Sequence, residues 1–229
     1  LDAAEYVYYF VGVFIDLTAI LVGFVILMVR PSRMTWAFFL YCVGVLPGLF
    51  FISFWLPPWL NFGANAFGDA LRSIGYGAFL VFCARVPNDV TVGRWRYVQL
   101  LVAPSVVAGL LTCSIVIDLS VVGLLHADII AGRIQTDISS ATYAIGLVTL
   151  IATFGRERGR ERNRVAWIIG GFAVGLGSTV AANLANLFSP LFPPIPGSPS
   201  WLQFMPALLP VAIPLTVAYA DVRHHALDA

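Results

Sequence analysis

Gly155–Arg164 reads Gly-Arg-Glu-Arg-Gly-Arg-Glu-Arg-Asn-Arg and holds five of the chain's thirteen basic residues between two long apolar runs. So charged a segment cannot lie in hydrocarbon, and it is expected to be a loop in water. Short loops rich in Arg stay on the cytoplasmic side of a membrane, so this one orients whatever flanks it. Of 229 residues, 59% are hydrophobic and 11% charged, with a mean hydropathy of +0.88. Globular domains sit near 45–50% apolar and about 25% charged, so the composition is that of an integral membrane protein. Every basic residue is Arg. Without Lys this chain cannot form a retinal Schiff base or an internal pyridoxal aldimine, which excludes a rhodopsin.

Working outward from the Arg cluster, hydropathy places spans at 6–29, 35–56, 64–84, 97–117, 138–154, 165–188 and 201–220. At 1.5 Å per residue, about 20 residues cross a hydrocarbon core of about 30 Å. The fifth run is the shortest. The connector Asp118–Asp137, with His126, Asp128 and Arg133, is expected to be a short surface helix or an extension of span four. Pro190, Pro193, Pro194, Pro196 and Pro199 make the next connector a semi-rigid loop. Arg30, Arg33, Arg85, Arg94, Arg96, the five Arg of the cluster and Arg223 follow spans one, three, five and seven, which is eleven of thirteen. Arg133 alone follows an even-numbered span, and Arg72 lies inside span three. Hydropathy and charge bias therefore agree on an all-α, polytopic seven-helix transmembrane bundle, a single domain with its N-terminus outside and its C-terminus cytoplasmic. The chain opens at Leu1, with Asp2 and Glu5 where a signal peptide would be basic, so a cut or mature product of a longer protein is expected.

Polar residues inside spans are expensive and usually face a cavity or one another. Asp16 lies about 15 Å into span one, close to the bilayer midplane. Arg72 lies about two turns below the outer end of span three, with Asp69 at i−3 on the same helix face. Two readings stand open for Asp16, Asp69 and Arg72: an ion pair joining spans one and three, or a ligand or proton site. Asn183 and Asn186 at the outer end of span six are either interfacial anchors beside Trp55, Trp59 and Trp201 or part of a binding pocket. Gly171 and Gly175 form a Gly-x-x-x-Gly pair for close helix approach. Cys42, Cys83 and Cys113 fall in apolar runs and read as small core hydrophobes. His126, His224 and His225 lie outside the spans, and no phosphate loop or zinc spacing is present. No catalytic residue, metal, cofactor or nucleic-acid partner is expected.

The tail Leu208–Ala229 reads Leu-Leu-Pro-Val-Ala-Ile-Pro-Leu-Thr-Val-Ala-Tyr-Ala-Asp-Val-Arg-His-His-Ala-Leu-Asp-Ala. It resembles the last transmembrane helix of bacterial membrane sensors, including competence-type quorum-sensing histidine kinases, with Pro214, Tyr219, Ala220, Arg223, Leu227 and Asp228 in the matching places. Glu161–Gly171 is similar to those sensors' basic entry to the penultimate helix, with Arg164, Trp167 and Gly170 matching. Val86-Pro87 stands where Phe-Pro is usual, and Asp221 and His224 to Ala226 replace apolar and aromatic residues. The resemblance implies a sensory input module in a bacterial inner membrane, with an output domain beyond Ala229 and a homodimer formed through the cytoplasmic helix. It implies signal relay through the seventh helix, where Pro206, Pro210 and Pro214 share one stripe ahead of Tyr219 and Arg223. Besides the bilayer, the implied partner is a small or amphipathic ligand. The rival reading is a small transporter or channel, with Asp16 and Arg72 on the translocation path.

A reporter active only in the cytoplasm, fused after Arg33, Arg94, Gly159 or Ala229, is expected to work. Fused after Asn61, His126 or Gly197 it is expected to fail. Activity at Gly197 would show a miscounted span.

Overall fold

A computed structural model of the chain describes residues 3–44, 57–91, 93–121, 123, 126–188 and 212–225. Among these residues the protein is all-α, with seven helices: α1 (Ala3–Val29), α2 (Arg33–Gly44), α3 (Pro58–Arg85), α4 (Trp95–Val121), α5 (Asp128–Arg156), α6 (Gly159–Phe188) and α7 (Ala212–His225). By length and composition α1, α4 and α5 can each cross a membrane, which makes the chain a multi-pass membrane protein. Their outer faces carry large exposed apolar side chains such as Phe14, Leu21, Leu100, Ile115, Val148 and Ile151. Hydroxyls inside these helices are satisfied locally. Buried Thr142, Thr149 and Thr153 of α5 donate to the carbonyls of Ile138, Ile145 and Thr149 at 2.7, 2.7 and 2.9 Å. Bonding back one turn keeps a polar side chain affordable where water is absent.

Helix α3 is the centre of the arrangement. It packs against α2, α4 and α5, while α7 packs against α6 and α1, closing the bundle. Successive positions along α3 serve different neighbours. A Cβ on Gly44 of α2 would lie 2.6 Å from the Gly75 Cα, so the α2 and α3 backbones touch there. Gly77 faces Ala103 and Val107 of α4. Phe79, fully buried, lies over Gly146 of α5 and has ring centroids 5.4 Å from Tyr41, 5.4 Å from Tyr143 and 5.1 Å from Phe172. Phe38 and Phe82, 5.1 Å apart, extend this block toward one end of the bundle. On the far side Gly171 lets Thr216 of α7 come close to α6, the use that its Gly-x-x-x-Gly spacing implies. Cys42, Cys83 and Cys113 are buried and free.

Several expected boundaries are corrected. The Arg cluster is not an open loop: α5 runs to Arg156 and α6 begins at Gly159, leaving Glu157 and Arg158 between them. Arg is a good helix former, and Gly159 at φ +60 reverses the chain within that short turn. The fifth run is 29 residues rather than the shortest, because most of the expected connector is helical, in α4 as far as Val121 and in α5 from Asp128. Span three, the least apolar, lies within a 28-residue helix that packs against α2, α4 and α5. Residues 45–56 of span two and 201–211 of span seven lie outside the described residues, and α7 continues to His225, beyond the expected end at Ala220. Helix α4 carries a π-helical turn at Val98–Val102, where Ala103 N–H bonds back to the Val98 carbonyl. It immediately precedes Pro104, which has no N–H to offer the Leu100 carbonyl.

Gly44→Ala is expected to lower the melting temperature in detergent, at a cost of about 1–3 kcal/mol for forcing two backbones apart. Gly170→Ala, with open space around the added methyl, should be neutral or slightly stabilising. Equal melting temperatures for the two variants would refute the close α2–α3 contact.

Candidate functional site

Polar side chains gather at two places, one toward each end of α3. The first is a cleft of about 210 Å³ lined by Asn65, Gly68, Asp69 and Arg72 of α3 and Asp118 of α4. The α3 residues fall at i, i+3, i+4 and i+7, a single helix stripe. Asp118 joins them because α3 and α4 run in opposite directions, so the last turns of α4 meet the first half of α3. Arg72 Nη1 lies 3.6 Å from Asp69 Oδ1, and both side chains remain partly exposed. Nearby on α4 and α5, Gln135 Nε2 donates to Ser114 Oγ at 3.2 Å. With two carboxylates, one guanidinium and one amide, the cleft can hold a small polar ligand through charge and hydrogen bonds.

The second cluster ties α2, α3 and α6 together at the opposite end. Helix α2 starts with a reciprocal cap: Thr35 N donates to Ser32 Oγ at 3.2 Å and Ser32 N to Thr35 Oγ1 at 2.9 Å. Thr stands here where a capping box usually has Glu or Gln. The two preceding helical N–H groups, of Arg33 and Met34, donate to the Asp89 carboxylate at 3.3 and 2.8 Å. Asp89 has left-handed backbone at φ 56, which Asp adopts more readily than most residues. Buried Arg85, at the end of α3, donates to the Asp89 carbonyl at 3.0 Å and to Oδ1 at 3.3 Å. Arg164, near the start of α6 and 6% exposed, donates to the Pro87 carbonyl at 3.1 Å and lies 3.9 Å from Glu161 Oε2. Beneath it, Ile26, Met34, Phe82, Ile168 and Val217 close the space between α1, α2, α3, α6 and α7.

The expected site residues divide accordingly. Asp69 and Arg72 come together in the cleft. Asp16 is buried in α1 but is not the partner of Arg72, whose ion pair is with Asp69; α1 packs on α2 and α7, not on the α3 face that carries Arg72. Asn183 and Asn186 lie on α6, with side chains outside the described residues, and Pro206 and Pro210 lie outside them altogether. Pro214 is buried in α7, and Tyr219 stacks edge-on to Trp167 of α6 with centroids 4.8 Å apart. Arg223 lies in the last turn of α7, its side chain outside the described residues. Asn65, Asp118, Arg85 and Asp89 were not anticipated. The spacing of Asn65, Asp69 and Arg72 marks one helix face, and pairing α3 with α4 as a hairpin would bring Asp118 to it. Asp89 has one local partner, Arg85 at i−4, but the helix N–H groups that it caps lie 55 and 56 residues away and leave no local signal.

Asp89→Ala removes the acceptor for two helix N–H groups and the partner of a buried guanidinium, and should cost about 2–4 kcal/mol in detergent. Arg85→Gln should cost clearly less in that background than in the wild type. Additive losses across the double-mutant cycle would show that the two residues do not act together.

No protein-family model, curated protein or solved structure matches the chain.

Proposed function

We propose that the chain is the seven-helix sensory input module of a bacterial inner-membrane receptor, N-terminus outside and C-terminus cytoplasmic, feeding a histidine kinase domain beyond Ala229. The observation that carries this reading is the position of the two polar clusters on one helix. Asp69 and Arg85 lie sixteen residues apart on α3, about 24 Å along its axis. The cleft that contains Asp69 would face outside and receive a small ligand. The Arg85 end would face the cytoplasm, where Arg164 fastens α6 to it and α6 carries α7 toward the output domain. A ligand that draws Asp118 toward Asp69 and Arg72 would shift α3 against α4, and the far end of α3 would pass that shift to α6 and α7. Such a relay needs a ligand with different affinities for two arrangements. The Arg distribution supports the orientation, and the resemblance of the tail supports the output.

A small transporter is the second reading, favoured by Asp16, 5% exposed inside the apolar window Gly12–Val29.

The test uses the full-length protein in vesicles with labelled ATP. Acid-labile, base-stable phosphate on a histidine beyond Ala229 is expected, and Arg164→Gln should change its basal level about fivefold or more, the low end of coupling between sites. No phosphohistidine would overturn the kinase assignment, and unchanged labelling in Arg164→Gln would overturn the relay. A vesicle proton or solute flux abolished by Asp16→Asn would establish the transporter.

A further inference from the structure

We infer that the arginine turn between α5 and α6 is a binding site for the phosphate headgroups of anionic membrane lipids. Arg156, Arg158, Arg160 and Arg162 are all exposed there within seven residues. Of the two acidic residues in the stretch, Glu161 lies against the inward-turned Arg164. The depth of the turn is set by its apolar neighbours. The Arg162 guanidinium carbon sits 4.5 Å from the centroid of the Phe154 ring, the last apolar side chain of α5. Val165 of α6 is fully buried, and two residues further the exposed Trp167 meets Tyr219 edge-on. Aromatic rings of this kind mark the level of the headgroups, so the arginines lie against the lipid surface rather than out in bulk water.

Guanidinium suits this task better than ammonium. Its planar fork matches two phosphate oxygens at once, whereas Lys offers a point charge. The short turn holds such forks, those of Arg156, Arg158 and Arg162, at the ends of two rigid helices, so they are gathered before any lipid arrives. Basic residues just cytoplasmic of a membrane span draw anionic lipid at about 1 kcal/mol each, roughly fivefold in affinity. The inference needs only that α5 crosses the membrane. It does not rest on the sensory reading, and either can fail without the other.

The test compares the purified chain in nanodiscs of phosphatidylcholine with and without phosphatidylglycerol, following thermal unfolding by Trp fluorescence and retained lipid by native mass spectrometry. Phosphatidylglycerol should raise the unfolding midpoint and remain bound, and both effects should weaken with salt. The triple variant Arg156→Gln, Arg158→Gln, Arg160→Gln should lose the rise, with binding weaker by roughly fivefold per arginine. The corresponding triple Arg→Lys variant preserves the charge that governs insertion, and should bind more weakly than the wild type but more tightly than the Gln triple. Arg94→Gln with Arg96→Gln, at a different turn, should leave the effect intact. Three results would overturn the inference: a phosphatidylglycerol effect unchanged in the Gln and Lys triples, an equal loss in the Arg94 and Arg96 variant, or inorganic phosphate matching the lipid.

Discussion

The Asp89 carboxylate answers three donors: the Arg33 and Met34 N–H groups and the Arg85 guanidinium. The first N–H groups of α2 have no partner within the helix and need an acceptor. A buried guanidinium costs several kcal/mol unless it is paired and bonded. One carboxylate meets both needs. Two residues earlier the Pro87 carbonyl accepts from Arg164, so the segment after α3 also holds α6. Neutralising Asp89 would therefore disturb α2 and α3 together, and the loop that anchors α6 with them.

Composition and apolar run length identified the membrane class and the existence of the helices, because both are sums over many residues. Boundaries failed where two local preferences disagreed. In the Arg cluster, hydration favours an open loop while the helix propensity of Arg favours extending both helices, and the turn contracts to Glu157 and Arg158. The Asp16–Arg72 pairing was drawn from depth alone. Depth along a helix says nothing about which neighbour a side chain faces, and α1 turns to α2 and α7. The pairing of Asp69 with Arg72 was visible because it is local, at i and i+3. Asp89 was invisible because its role depends on bringing the loop after α3 to the start of α2.

Composition also concealed the importance of α3. Asp69, Arg72, Gly75 and Gly77 made it the weakest of the apolar runs, yet these are the residues that its position requires. Glycines admit α2 and α4 to backbone contact, and the polar pair lines the cleft where α3 and α4 separate. A helix facing lipid must be apolar on its outer side, whereas one surrounded by other helices must fit them. Low hydropathy in a membrane chain is thus a sign of burial in protein as readily as of exposure to water.

The middle of α3 constrains how its two ends can communicate. Between the cleft and the Arg85 cluster lie Gly75 against Gly44, Gly77 against Ala103 and Val107, and Phe79 enclosed by Tyr41, Tyr143 and Phe172. Close-packed contacts of this kind leave little room for bending, because interiors resist changes of even one methylene. Displacing the cleft end of α3 must therefore either break the ring contacts or carry the helix as a unit. Carried as a unit, the helix takes Arg85 with it and pulls on the loop that contains Pro87 and Asp89. The α6 contact through Arg164 and the α2 cap then respond together. A single rigid helix with polar fastenings near both ends can in this way couple the two clusters without any side chain of one reaching the other.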